Sequence, residues 1–172
     1  MSQSEPALLT GKTAIWLLML TVIILFGTLT FTFVASIPGR VQIPVPILFY
    51  LNTILLILSS VLMHFSLSAK EPKRLISLSL MSGGIFLVAQ LIAWYQMVQQ
   101  GLTLSSGGRV VSYLYVLSGL HGLHIVGGLI FIGVVLYKLR QQSREYLEMA
   151  TWFWHFLGML WIFLLAIIAL HT

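Results

Sequence analysis

The segment VVSYLYVLSGLHGLHIVGGLIFIGVVLY, residues 110–137, contains no Asp, Glu, Lys or Arg. A helix needs about 20 predominantly apolar residues to cross the hydrocarbon core of a bilayer. The segment is therefore long enough for one crossing and too short for two. Because a backbone in lipid must satisfy its own hydrogen bonds, we predict that this segment forms one transmembrane α-helix.

Four more segments of the chain have the same character. The uncharged segments are residues 13–39, 41–69, 75–108, 110–137 and 149–172. Prolines, glycines and polar residues at the edges of these segments shorten them. The predicted spans are residues 13–37, 46–68, 75–99, 110–137 and 149–171. Residues 1–11 form an N-terminal tail before the first span. The sequence predicts an all-α fold, an integral membrane bundle of five transmembrane helices.

The composition excludes several other classes of protein. Charged residues make up 8% of the chain, against about 25% in an ordinary soluble domain. Hydrophobic residues make up 59%, and the mean hydropathy is +1.01. A soluble enzyme, a disulfide-rich secreted module and a disordered tail are excluded. The absence of cysteine excludes disulfides, iron–sulfur clusters, thiolate zinc sites and c-type haem attachment.

The basic residues predict the orientation of the spans. The net charge is +5, but the basic residues lie between the spans, so we expect no nucleic-acid partner. One side of the membrane has Lys12, Lys70, Lys73, Arg74, Lys138, Arg140 and Arg144, and the other has Arg40 and Arg109. Cytoplasmic loops carry the excess of Lys and Arg. We therefore predict a cytoplasmic N-terminus and an outside C-terminus.

The four acidic residues lie outside the predicted spans. They are Glu5, Glu71, Glu145 and Glu148. Carboxylates inside the membrane are the usual proton carriers and partners of buried cations. Their positions argue against a proton pump, an ion-coupled transporter or a voltage sensor made from this chain alone. Asn52 and Gln90 are neutral polar residues within spans, where we expect interhelical hydrogen bonds.

The histidines are the remaining candidates for chemistry. His121 and His124 are three residues apart and share a helix face, roughly 20 Å or more from the inner end of their span. His64 and His155 both lie within about 10 Å of the inner boundary, so these two could form a two-histidine metal or haem site. The ordinary alternative is that each histidine forms hydrogen bonds with neighbouring helices or lipid headgroups.

Small residues on the third and fourth spans indicate close helix packing. Ser79 and Gly83 form one pair with small-xxx-small spacing, and Ser118 and Gly122 form another. Three further glycines add to the small residues of the fourth span: Gly127, Gly128 and Gly133. Packing within the chain and contact with a partner protein are both compatible with this pattern.

Three blocks of sequence together resemble subunit III of the haem–copper oxidases, which include cytochrome c oxidase. They are SGLHGLHIVGG (residues 118–128), TWFWHF (residues 151–156), and LNTILLILSS followed by HFS (residues 51–60 and 64–66). The resemblance extends from Lys12 onward and implies the shorter bacterial form with five spans. The motif positions that it carries over are His64, His121, Gly122, His124, Gly128, Trp154 and His155. It implies mainly structural roles for them, with Lys138, Arg140 and Trp154 near lipid headgroups.

The chain departs from this family at three positions. Members typically have carboxylates where Val22, Ala93 and Gly158 stand. The resemblance therefore implies the family scaffold without its carboxylates inside the membrane. It therefore does not imply, for this chain, the proton-uptake role that is attributed to those carboxylates.

The resemblance implies a non-catalytic accessory subunit of a bacterial terminal oxidase in the aerobic respiratory chain. It would lie in the cytoplasmic membrane, stabilise catalytic subunit I, contact other oxidase subunits and bind phospholipid. It implies no catalytic, cofactor-binding or metal-binding residues here, with haem and copper in the partner subunits. A subunit of a quinol oxidase or nitric-oxide reductase, and an independent haem-binding membrane protein, are the alternatives, with a small transporter or channel less favoured.

Overall fold

A computed structural model describes residues 4–36, 45–138 and 144–171, which form five α-helices. The helices are α1 (Ser4–Ser36), α2 (Ile47–Ser66), α3 (Pro72–Gln99), α4 (Gly108–Tyr137) and α5 (Arg144–His171). Each helix is long and apolar enough to cross a membrane. The prediction of an all-α membrane bundle with five transmembrane helices is confirmed.

Proline and glycine determine several of the helix ends. α2 begins directly after Pro46, and Pro72 is the first residue of α3, because proline lacks an N–H and therefore suits the first helical turn. After α3, Gly101 has a φ of +76°. This left-handed conformation favours glycine and turns the chain away from the helix axis.

Four helices begin earlier than the uncharged segments predicted. α1 begins at Ser4, α3 at Pro72, α4 at Gly108 and α5 at Arg144. The first turn of α5 carries charged side chains, and Arg144 Nε lies 3.4 Å from a carboxylate oxygen of Glu148. Charged residues mark the edge of the hydrocarbon core, and a helix can continue past that edge into water. The charge pattern therefore located the spans but not the ends of the helices.

Helices α2, α3, α4 and α5 form a ring, and α1 packs against the outside of α4 and α5. Side-chain pairs show that neighbours in the ring are antiparallel, since Asn52 and Ser59 of α2 contact Gln90 and Ser79 of α3. The N-terminus of α1 lies beside the N-terminus of α5, where Lys12 contacts a glutamate of α5. We call this end of the bundle the basic end.

Aromatic rings fill the centre of the ring of helices. Trp161 stacks on Phe49 at 5.7 Å between ring centres and meets Phe86 edge-on at 5.2 Å. Helices in lipid gain little from hydrophobic burial against each other, so association depends on close packing and interhelical hydrogen bonds. The indole N–H of Trp161 donates such a bond to Thr53 Oγ1 at 3.1 Å.

Candidate functional sites within the bundle

Trp154 of the TWFWHF block joins three helices. Its side chain is 1% exposed, and its indole N–H donates a hydrogen bond to Ser59 Oγ of α2 at 3.0 Å. The Ser59 hydroxyl donates in turn to the carbonyl oxygen of Ser79 of α3 at 2.9 Å. The indole predicted to lie near lipid headgroups is therefore enclosed by protein, and its N–H is already paired.

Two glycines make room for this indole. A Cβ on Gly83 of α3 would lie 2.9 Å from Trp154 Cη2, and a Cβ on Gly128 of α4 would lie 3.0 Å from Trp154 Cζ3. Both distances are shorter than ordinary van der Waals contact, so only glycine fits without movement. We call these two glycines, with Ser59, Ser79 and Trp154, the Trp154 node.

The remaining small residues of α4 have other surroundings. A Cβ at Gly127 or Gly133 would meet nothing within 4 Å, and one at Gly122 would meet only a leucine methyl at 4.0 Å. Ser118 accepts a hydrogen bond from the indole N–H of Trp94 at 3.1 Å. Close packing through glycine in α4 is therefore concentrated at Gly128.

The two histidines of the SGLHGLHIVGG block have different surroundings. His121 is fully buried among the rings of Phe26, Phe86 and Trp161, with Trp161 closest at 5.1 Å between ring centres. Neither ring nitrogen of His121 has a hydrogen-bond partner among the described residues. His124 is partly buried, and its Nδ1 lies 2.7 Å from the Leu120 carbonyl oxygen of its own helix. His121 therefore lies in the packed core, whereas His124 interacts with its own helix.

His64 of α2 and His155 of α5 lie side by side, as their estimated depths in the membrane allowed. Their ring centres are 5.8 Å apart, and His155 Nδ1 forms a hydrogen bond with Ser60 Oγ. Across the described ranges 4–36, 45–138 and 144–171, no three His, Asp or Glu side chains come close enough to hold a metal ion together. Ser60 was not among the predicted site residues, although it stands one helical turn before His64.

The neutral polar residues predicted to join spans do so. Asn52 Nδ2 of α2 donates a hydrogen bond to Gln90 Oε1 of α3 at 3.2 Å, and both residues are buried. This interhelical bond lies on the opposite side of the Trp154 node from the His64–His155 pair. The Asn52–Gln90 and Ser59–Ser79 hydrogen bonds hold α2 against α3 at separate levels of the bundle.

An apolar groove of about 520 Å³ runs between α1, α4 and α5. Its wall includes Gly11, Ile15, Gly127, Phe131 and Phe153. We call it the α1 groove. The absence of a side chain at Gly127 leaves open space on the α4 side of the groove.

Charged and aromatic side chains lie close to this groove at the basic end. Lys12 Nζ is 3.3 Å from a carboxylate oxygen of Glu145, and both side chains are nearly half exposed. A smaller cavity of about 310 Å³ beside them is also lined by Trp16 and Trp152. Lys138 is exposed just after α4. The predicted headgroup residue Arg140 lies outside the described residues.

Comparison with known proteins identifies the scaffold. The sequence model of a family described as cytochrome c oxidase subunit III matches residues 12–171. Proteins named cytochrome c oxidase subunit 3 are similar to this chain. The one from Corynebacterium diphtheriae is 31% identical over 64% of this chain and 58% of the relative. The one from Synechocystis sp. is 33% identical over 69% of this chain and 54% of the relative. The one from Cyanidium caldarium is 31% identical over 67% of this chain and 45% of the relative.

The chain belongs to the cytochrome c oxidase subunit III family. It spans about half the length of the curated relatives that it matches. Subunit III family membership agrees with the resemblance of the three sequence blocks, and the structure places those blocks in contact. Trp154 of one block packs on Gly128 of another and donates its hydrogen bond to Ser59 of the third.

The three positions without the expected carboxylates have apolar surroundings in this subunit III family member. Val22 is 2% exposed and packs in a cluster with Phe26, Leu117 and Leu160. Ala93 is fully buried in the main core. An ionised carboxylate at either position would need a partner for its charge. Gly158 instead lines a groove between α2 and α5.

Proposed function

We propose that this chain is the non-catalytic subunit III of a bacterial haem–copper terminal oxidase, specifically a cytochrome c oxidase of the aerobic respiratory chain. In this role it stabilises the catalytic subunit I, contacts other subunits of the complex and binds phospholipid. Haem and copper are held by the partner subunits. Membership in the subunit III family supports the proposal directly.

The observation that carries the proposal is the Trp154 node. The most distinctive residues of the family blocks, Trp154 and Gly128, contact each other and the neighbouring helices. The Trp154 indole of α5 contacts Ser59 of α2, Gly83 of α3 and Gly128 of α4, and so links all four helices. A rigid bundle of this kind suits a scaffold that presents its outer helix faces to a partner and to lipid.

Co-purification from the native membrane tests the partnership. The tagged chain, solubilised in mild detergent, is expected to bring down a much larger membrane subunit together with haem and copper. Trp154→Ala provides a comparison, because loss of the central indole should loosen the bundle and reduce recovery of the complex. Recovery of the wild-type chain as a stable solitary monomer, or with a partner that contains haem but no copper, would contradict the proposal.

The α1 groove supports the phospholipid part of the proposal. Its apolar wall suits an acyl chain, and Lys12 with Trp16 at the basic end suits the headgroup region, where amphipathic aromatic side chains are enriched. The exposed Lys138 is a second candidate for headgroup contact. Acyl-chain binding here would fill space between α1 and α4 that the protein itself leaves open.

A pair of glycine substitutions on α4 tests lipid binding. Gly127→Leu places a side chain in the α1 groove, whereas Gly133→Leu adds the same side chain to the same helix where a Cβ also meets nothing within 4 Å. Native mass spectrometry of the purified complex should show loss of retained phospholipid in the first variant only. Equal retention in both variants would exclude this groove as the binding site.

The proposed location is the bacterial cytoplasmic membrane, with the N-terminus in the cytoplasm. The chain has no cysteine, so single cysteines can report orientation without background. Ser105→Cys, between α3 and α4, should react with a membrane-impermeant maleimide added to whole cells. Ser68→Cys, between α2 and α3, should react only after the membrane is opened. The reverse pattern would show that the predicted orientation is wrong.

A further inference from the structure

A second groove, of about 470 Å³, lies between α2 and α5 at the level of the two paired histidines. Most of its wall is apolar and includes Leu56, Ile57 and Ile162. Three lining residues have side chains that can bind a transition metal: His64, His155 and Met159. We propose that these three side chains form a binding site for a monovalent copper ion. This site goes beyond the scaffold and lipid roles proposed above.

The separation of the two imidazoles fits one shared ion. An imidazole nitrogen binds a transition metal at about 2.0 Å, which places the ring centre about 3.2 Å from the metal. Two rings on one metal then have centres about 5.2 Å apart at a tetrahedral angle and about 6.4 Å apart when they are opposite. The rings of His64 and His155 are 5.8 Å apart, which lies between these limits.

Ser60 supplies the orientation that such a ligand needs. Its hydroxyl forms a hydrogen bond with His155 Nδ1, and this bond holds the ring against α2. When Nδ1–H donates to the hydroxyl oxygen, Nε2 keeps its lone pair and is free to bind a metal. Hydrogen bonds of this kind fix both the tautomer and the direction of a histidine ligand.

Met159 supplies the third donor. It follows His155 by four residues on α5, so the two side chains are neighbours on one helix face. The Met159 side chain is 70% exposed and lines the same groove as the histidines. A thioether is a soft ligand that suits monovalent copper and does not suit magnesium or manganese.

The charge of the groove favours the same ion. Its lining includes no Asp, Glu, Lys or Arg. An anionic headgroup would therefore find no full positive charge, and a divalent cation would bring an uncompensated double charge into apolar surroundings. Of these ligands, a monovalent soft cation held by neutral nitrogen and sulfur atoms brings the least uncompensated charge into the apolar groove. His64 is two residues from the end of α2 at Ser66, so the site lies near the basic end of the bundle.

Copper binding by the full chain in lipid nanodiscs tests the proposal. The probe is monovalent copper kept reduced with ascorbate and titrated against a chromophoric chelator, and the chain contributes no competing thiolates because it lacks cysteine. We expect one copper ion per chain. X-ray absorption should show two nitrogen neighbours near about 2.0 Å and one sulfur neighbour near about 2.3 Å.

Matched variants separate the site from general binding. Met159→Leu conserves side-chain volume and should weaken copper binding at least tenfold, whereas Met81→Leu changes an exposed methionine of α3 outside the groove and should leave the affinity unchanged. Ser60→Ala should weaken binding about 10- to 100-fold, because it removes the bond that orients His155. Circular dichroism and the elution volume check that each variant is folded. The Met159 variant, which is the least disruptive, decides the outcome if a variant at Ser60 or a histidine does not fold.

Three results would overturn the proposal. They are equal copper affinity of the Met159→Leu and Met81→Leu variants, an absorption spectrum without a sulfur neighbour, and tighter binding of Zn²⁺ than of monovalent copper by the wild-type chain. Each can be observed whether or not the chain co-purifies with an oxidase. Because the proposed site would itself retain copper, the large subunit and its haem decide the partnership, whereas the comparison of Met159→Leu with Met81→Leu decides the site.

Discussion

Replacement of Gly83 by alanine adds one methyl group where the Trp154 node has no room for it. The new Cβ would lie 2.7 Å from Leu129 Cδ2 and 2.9 Å from Trp154 Cη2, whereas carbon atoms ordinarily approach to about 3.5 Å. The leucine can rotate, but the indole has little freedom. Ser59 holds its N–H, and Gly128 contacts another edge of the same ring. Overpacking of this kind costs about 1–3 kcal/mol.

The neighbouring residue supplies the matched control. A Cβ at Gly84 would meet nothing within 4 Å. Alanine is favoured over glycine in a helix by about 1 kcal/mol at both positions, so this gain cancels when the two variants are compared. We therefore expect Gly83→Ala to be less stable than Gly84→Ala by about 1–3 kcal/mol.

The free energy of unfolding in mixed micelles, measured by titration with sodium dodecyl sulfate and circular dichroism, checks this difference. A double-mutant cycle with Trp154→Leu identifies its source, because a smaller side chain at that position should relieve much of the penalty at Gly83. If Gly83→Ala and Gly84→Ala have the same stability to within about 0.5 kcal/mol, the inference that the Trp154 indole cannot move away from a new Cβ is wrong.

Three more substitutions have expected effects on the same free energy of unfolding. Ser59→Ala leaves the buried Trp154 N–H unpaired and should cost about 1–3 kcal/mol, whereas Ser82→Ala removes a hydroxyl that bonds its own helix and should cost less than about 0.5 kcal/mol. Asn52→Ala removes the hydrogen bond between α2 and α3 and should cost about 0.6–1.7 kcal/mol. Lys12→Gln removes a half-exposed ion pair and should cost less than about 1 kcal/mol, with the difference disappearing in about 1 M salt.

Each of these predictions can fail in a recognisable way. Equal losses for Ser59→Ala and Ser82→Ala would show that the interhelical bond of Trp154 adds no stability. No loss at Asn52 would assign the contact between α2 and α3 to packing alone. A salt-independent loss at Lys12 would show that its aliphatic stem, rather than its charge, stabilises the contact between α1 and α5.

The positions of the helices in the sequence were predictable because the bilayer imposes a length on every uncharged segment. The predicted ends of the helices were less accurate than their positions. The segment before Met149 carries Arg144, Glu145 and Glu148, and its charge suggested a connection, yet α5 begins at Arg144. Charge is excluded from the hydrocarbon core but is compatible with a helix in the interface or in water. A charge pattern therefore detects the membrane and not the hydrogen bonds that begin a helix.

The candidate sites were predictable only in part. The rise per residue of a helix placed His64 and His155 at similar depths, and the structure brings their rings together. The family resemblance placed Trp154 near the headgroups, but the sequence does not give the direction in which a side chain points, and the structure encloses this indole in protein. Ser60 and Met159 were missed for the same reason. Each is one helical turn from a histidine, and that spacing was the available signal.

The sequence by itself determined the class of fold and the number of helices, because these depend on the length and charge of segments. The tertiary structure decided which helix faces meet. It placed Trp154 between two glycines and beside Ser59, and it left His64 and His155 on the wall of one groove. These contacts depend on the rotation of each helix about its own axis, which is determined only by the packing of all five helices together.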